Sequence, residues 1–200
     1  MEALITFVLN FIYSSATLAL IVLGLAMVFG LLGVMNMAHG EFVMLGAYSA
    51  YVVQSLGLNF IWAIPISILV CVVVGWLMEW TIIRHLYNRP FDTLLATWGV
   101  AILIRKGIEA IFSRDYKSVD QVMPGTIDIL GITYPSYRLI LIAIIIFLFV
   151  TLFAWYQKSK TGLRIRAMVQ NPDLASAVGI DTARLSTVTF IIGVSFAGLA

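Results

Sequence analysis

GVMNMAHGEFVM, residues 33–44, sets an amide, an imidazole and a carboxylate (Asn36, His39, Glu41) between two long stretches that carry no charge. Residues 3–40 contain no Asp, Glu, Lys or Arg, and neither do residues 42–78. A bilayer is crossed by about 20 apolar residues in a helix, so the first run is too long for one straight crossing. Gly30 and Gly33 punctuate it. The pattern predicts a span over 5–29, a broken helix near 30–41, and a new helix starting at about 41. Irregular backbone at membrane depth is tolerated only where it is buried in protein or lines a wet cavity. Polar groups held there are functional candidates. A half-helix beginning near Glu41 would aim its N-terminal amides at a polar solute. Asn36, His39, Gly40 and Glu41 are therefore candidates for a translocation path. The competing reading is a polar turn at the inner interface, with Glu41 as an ordinary first-turn acid.

Composition decides the solvent. The chain has 200 residues, 62% hydrophobic and 11% charged, with a mean hydropathy of +1.03. Soluble domains carry about 25% charged residues, so lipid is expected to cover this surface. A net charge of +2 without a basic stripe gives no support for nucleic acid binding. Cys71 is the single cysteine, which excludes a disulfide framework. His39 and Glu41 lack a second His cluster, and His85 sits alone in a basic loop, so no metal site is expected. The start MEALITFVLNF has no Lys or Arg, which argues against a cleaved signal peptide. There is no P-loop, no Ser/His/Asp set and no cofactor motif. The chain is read as a non-enzyme without catalytic residues.

Working outward, further apolar runs predict spans at 41–56, 60–83, 93–112, 138–157 and 185–200 onward, in one domain. The fold class is thus all-α, a polytopic transmembrane bundle. Lys and Arg mark the cytoplasmic side. Arg84 and Arg89 in one connection, and Lys158, Lys160, Arg164, Arg166 and Arg184 in another, fall on the same side of the alternating spans. The 113–137 loop then falls opposite, and the N-terminus lies outside. Glu79 is expected to pair with Arg84 or a residue of another helix. Arg105 and Glu109 have helical i,i+4 spacing and are expected to snorkel near the outer interface. Gly24, Gly30, Gly33, Gly46 and Ala47 permit close helix packing. The last run is still apolar at Ala200, and a fragment with further spans beyond it is expected.

The stretch TGLRIRAMVQNPDLASAVGI, 161–180, is not a membrane span. Leu163, Ile165, Met168 and Val169 form an apolar stripe, with Arg164 and Arg166 on other faces. Asn171 can cap a second helix with Pro172 at its first position, where the missing N–H costs nothing. Gly179 can end it. Ala175, Ser176 and Ala177 leave a low surface. Either this is an ordinary amphipathic connection, or it is a docking helix for a cytoplasmic partner, as in helix-in-groove recognition.

GLLGVMNMAHGEFVMLGAY (30–48) resembles the signature of permease subunits of branched-chain amino acid-type ABC importers. GLRIRAMVQNPDLASAVGID (162–181) is similar to that family's cytoplasmic segment, and TIIRHLYNRPFDTLLATWGV (81–100) is closer to its urea-transporting branch. The resemblance implies a bacterial inner-membrane importer with cytoplasmic ATP-binding subunits, a second homologous permease subunit and a periplasmic solute-binding protein. It implies an ATPase-coupling role for 161–181, with Arg164, Arg166, Asn171, Pro172, Ala175, Ser176 and Gly179 as its residues. Urea is the first expected cargo and a branched-chain amino acid the alternative. The different-class alternative is a stand-alone channel or secondary carrier.

Overall fold

The computed structural model describes residues 2–87, 89–115, 117–119, 125–129 and 132–200. Helix α1 (Glu2–Leu25) runs without a cap into a π-helical turn, Ala26–Leu31. Gly33, at φ 67°, turns the chain out of the helix; that is left-handed backbone, which a glycine adopts without a Cβ penalty. Residues 33–36 have no regular structure, and α2 (His39–Ser55) follows. The break therefore falls where the sequence placed it, with the winding already altered from Ala26.

A 3-10 turn, Phe60–Trp62, leads into α3 (Ala63–Thr81). The Asn59 side chain caps this turn by accepting from the Ile61 amide at 3.0 Å. A second 3-10 turn, Ile83–His85, ends the descent, and α4 (Pro90–Phe112) begins with proline at a position that needs no amide partner. Strands β1 (Thr126–Ile129) and β2 (Ile132–Pro135) pair antiparallel, with Ile127 opposite Tyr134. This small hairpin is an addition to the all-helical expectation. It lies within the expected 113–137 loop, of which residues 116, 120–124, 130 and 131 fall outside the described residues. Helices α5 (Ser136–Lys158), α6 (Lys160–Gln170), α7 (Pro172–Ala177) and α8 (Thr182–Leu199) complete the chain.

Among the described residues, four helical stretches are long and apolar enough to cross a membrane: Ala3–Leu31, Phe60–His85, Ser136–Lys158 and Thr182–Leu199. Helix α2 has 17 residues, about 25 Å at 1.5 Å per residue. Helix α4 carries Asp92, Arg105, Lys106 and Glu109.

The core forms around α8, which packs on α1, α2 and α3. Phe42, Cys71, Phe190, Val194 and Ala197 are fully enclosed there. Close approach is possible because glycine faces glycine. Gly24 lies against the Gly193 carbonyl, and Gly46 against the backbone of Gly198. The Ser67 hydroxyl donates to the Gly198 carbonyl at 2.6 Å, tying α3 to the end of α8. Gly24 and Gly46 thus do the close-packing work expected of them. A Cβ at Gly30 or Gly33 would meet nothing within 4 Å. Outside the core, α5 presents Phe147, Val150 and Phe153 to the surroundings, as a lipid-facing helix does.

The ends of the bundle are distinguished by hydrogen bonds. The Asn10 side-chain oxygen accepts from the Tyr134 hydroxyl (3.3 Å) and from the Arg138 guanidinium (2.5 Å). The start of α1 therefore sits at the end of the bundle that carries the β-hairpin. The two basic connections, holding Arg84 and residues 158–184, lie at the other end, beneath the π-turn and the start of α8.

Candidate functional site: the broken helix and the basic inner face

The broken helix is satisfied mostly from within the chain. The Asn36 side-chain oxygen accepts from the Ala38 amide at 3.0 Å. The Met37 amide donates to the Thr97 hydroxyl at 3.0 Å, and that hydroxyl lies 3.4 Å from the Met35 carbonyl. The His39 amide donates to the Asn36 carbonyl (3.3 Å) and the Glu41 amide to the Ala38 carbonyl (3.0 Å). Of the first-turn amides that the sequence would aim at a solute, those of His39 and Glu41 are thus occupied within the chain.

The side chains of the motif face different neighbours. His39 Nε2 lies 3.1 Å from the Ile21 carbonyl, toward α1. Glu41 points toward α4, where Arg105 donates to its carboxylate at 2.5 Å. Asn36, His39 and Glu41 are all buried, whereas Gly40 is exposed with open space where a Cβ would lie. The buried Asn36 Nδ2 and His39 Nδ1 have no hydrogen-bond partner among the described residues. The four path candidates thus do not form one polar cluster.

Arg105 corrects the sequence reading. It does not pair with Glu109, which instead takes Lys106 (2.7 Å) and Arg114 (3.3 Å). Its partner is 64 residues away. The Glu41 side chain is 8% exposed and that of Arg105 60% exposed, so this ion pair opens on one side of the chain. Thr97 beside Met37, Arg105 beside Glu41, and Phe112 against Tyr48 and Tyr51 show α2 and α4 rising side by side in the same direction. The pair therefore lies well inside α4, not at the start of a cytoplasmic turn. Two adjacent cations facing a single nearby acid in α4 were the available signal that one of them has a distant carboxylate partner.

At the inner end, α6 and α7 form the anticipated two-helix segment. The Ser159 hydroxyl accepts from the Gly162 amide at 2.8 Å and caps α6. The Asn171 side-chain oxygen accepts from the Leu174 amide at 3.0 Å and caps α7, with Pro172 in its first turn. Gly179, at φ 83°, ends it. Arg164 and Ser176 are exposed. Arg166 instead stacks over Tyr156 and donates to the carbonyls of Tyr156 and Gln157, so it closes the end of α5. Ala175, read from sequence as part of the low outer surface, is 3% exposed and packs inward. The outward apolar residues include Leu163 of α6 (61%), Leu174 (64%) and Val178 (76%), which sequence spacing did not separate from the buried ones.

Above this segment lies a cavity of about 600 Å³. Its walls come from the π-turn, the end of α3, the 84–87 connection, α6, Pro172 and the start of α8. Glu79 reaches it almost wholly buried, at 1% exposure. The Tyr87 hydroxyl donates to Glu79 at 3.4 Å, and the Arg84 guanidinium stands 3.8 Å away. Burial and the adjacent carboxylate push the Tyr87 phenol above its ordinary range, so it stays protonated and able to donate. The sequence anticipated the Glu79–Arg84 pair; Tyr87 and Ser186 at the same cavity were not foreseen.

The family profile described as branched-chain amino acid transport system / permease component matches residues 7–200. The chain belongs to that family. It is 29% identical over 92% of its length to the high-affinity branched-chain amino acid transport system permease protein BraD of Pseudomonas aeruginosa. It is 27% identical over 96% of its length to LivH of Salmonella typhimurium, named in the same terms, and 26% identical over 94% to a probable LivH of Methanocaldococcus jannaschii. The chain spans 65%, 67% and 62% of these three proteins. No solved structure matches it. Membership, together with the apolar helical stretches described above, makes the chain an integral membrane protein.

Proposed function

We propose that this chain is a membrane-spanning subunit of an ATP-driven importer for branched-chain amino acids in a bacterial inner membrane. The observation that carries the reading is the capped α6–α7 segment on the Lys- and Arg-rich face, which presents Leu174 and Val178 outward. Cytoplasmic ATP-binding subunits would seat on that segment. Their closure would move α7 against the bundle, and a periplasmic solute-binding protein would deliver cargo at the hairpin end. Helices α2 and α4 would cross the membrane with the four longer apolar stretches, giving six crossings. A second homologous permease subunit would cover the exposed side of Arg105, because a guanidinium at membrane depth faces protein or a wet cavity rather than lipid. The Glu41–Arg105 pair would then border the route of the solute. A stand-alone channel or carrier would leave the capped inner segment without a task.

Cargo is assigned on the names of the relatives, each a branched-chain amino acid permease. The resemblance of 81–100 to the urea-transporting branch keeps urea as the second reading. ATP-dependent uptake of labelled leucine and labelled urea, in vesicles holding the full importer and its solute-binding protein, decides between them. Leucine uptake that stops without ATP is expected. Urea uptake without leucine uptake overturns the cargo assignment.

A further inference from the structure

The cavity at the inner end holds a buried carboxylate that the chain leaves underserved. Among the described residues Glu79 Oε2 has no hydrogen-bond partner and stands 3.8 Å from the Arg84 guanidinium, while the long 3.4 Å bond from Tyr87 goes to Oε1. An ionised carboxylate removed from water needs close donors to offset its lost hydration. Arg84 is 41% exposed along its side chain and makes no closer contact to that carboxylate, so its planar fork can still take a second one. Around these charges the walls are aliphatic, from Leu31 and Leu32 of the π-turn and Met168 and Val169 of α6. A cavity of about 600 Å³ lies within the usual range of about 300–1,000 Å³ for small-molecule sites.

From this arrangement we infer that the cavity is an inner-facing binding site for a small aliphatic α-amino acid. The ammonium group supplies the donors that Glu79 Oε2 lacks. The α-carboxylate takes the Arg84 guanidinium, and the side chain lies against Leu31, Leu32, Met168 and Val169. Pro172, the first residue of α7, forms part of the wall. Movement of the coupling segment therefore opens or closes this site, which acts as the last stop before release to the cytoplasm. The inference rests on the cargo reading above, and it adds a specific site to it.

The test uses the full importer in lipid nanodiscs without the solute-binding protein. Equilibrium binding is measured for leucine, isovalerate (no ammonium), 3-methylbutylamine (no carboxylate) and urea. Wild-type protein is expected to bind leucine at least tenfold more tightly than either analogue or urea. Glu79→Gln should weaken leucine binding about tenfold or more and leave isovalerate unchanged. Arg84→Gln should weaken leucine similarly and leave 3-methylbutylamine unchanged. Equal binding of leucine and both analogues by wild-type protein overturns the site without need of any variant. So does leucine binding that neither substitution weakens. Uptake assayed in parallel separates the two readings: leucine uptake with no such binding pattern removes the site alone, whereas urea uptake without leucine uptake removes the cargo reading.

Discussion

Gly46→Ala adds one methyl group at the tightest crossing of the bundle, and its consequence can be worked from the backbone. The new Cβ would stand 2.7 Å from the carbonyl carbon and 3.0 Å from the Cα of Gly198, with the carbonyl oxygen nearer still. Comfortable carbon contacts begin at about 3.5 Å, so α2 and α8 must part by roughly 1 Å or more to clear the carbonyl oxygen. The atoms in the way are main chain and cannot rotate aside. The same backbone accepts the Ser67 bond, so the shift is felt in α3 as well. Overpacking of a filled core costs about 1–3 kcal/mol, and rigid opposition puts this case near the upper end. Alanine returns about 0.5–1 kcal/mol through its better helix propensity. The net loss is about 2 kcal/mol, or a Tm about 4–8 °C lower for a chain of this size. Gly107→Ala is the internal control. It lies in α4 with nothing within 4 Å of the added carbon, so only the propensity gain remains. Thermal unfolding of the full-length protein in detergent, followed by loss of monodispersity, should move in opposite directions for the two variants. Equal Tm shifts would refute the glycine-crossing argument.

Four further outcomes follow from the inner face and the ion pair. Leu174→Asp and Val178→Asp should each reduce co-purification of the ATP-binding subunits severalfold and leave Tm unchanged, because both residues are exposed; unaltered co-purification removes α7 as the docking helix. Ala175→Asp should instead lower Tm, since it buries a charge. Glu41→Gln and Arg105→Gln should each depress leucine uptake, and the exchange Glu41→Arg with Arg105→Glu should recover part of it; an exchanged protein worse than both single variants would argue against direct pairing. Asn171→Ala removes the α7 cap at a cost of about 1 kcal/mol, read as faster amide exchange across Pro172–Ala177 with α8 unaffected.

The features legible in the sequence are those fixed within a few residues. Asn171–Pro172 and Gly179 mark α7 because capping, proline and left-handed glycine act on their own turn. The break near 30–41 was readable because charge-free length and glycine spacing are local counts. What escaped depends on how a helix is rotated about its axis. Arg105 has a carboxylate four residues away on its own helix, yet it bonds one on α2. Ala175 and Leu174 are neighbours in sequence and opposite in exposure, and no periodicity over six residues fixes which faces the bundle. The central place of α8 was hidden for the same reason: Gly193 and Gly198 acquire meaning only beside Gly24 and Gly46. The family profile shows which family the chain belongs to, while the roles of individual path residues rest on geometry that the motif alone does not carry.

The knot of Asn10, Tyr134 and Arg138 gives the outer end of the bundle a fulcrum. Helices α1 and α5 both start there and run side by side toward the inner face. The stretch Ala3–Leu31 has 29 residues, about 44 Å at 1.5 Å per residue. From Asn10 to Leu31 the rise is about 30 Å, so a tilt of about 5° about that knot would sweep the inner end through about 3 Å. The far tip of that lever is the π-turn, whose Leu31 and Leu32 wall the inner cavity. A rotation that small at one surface would thus reach the other as a displacement on the scale of a van der Waals contact.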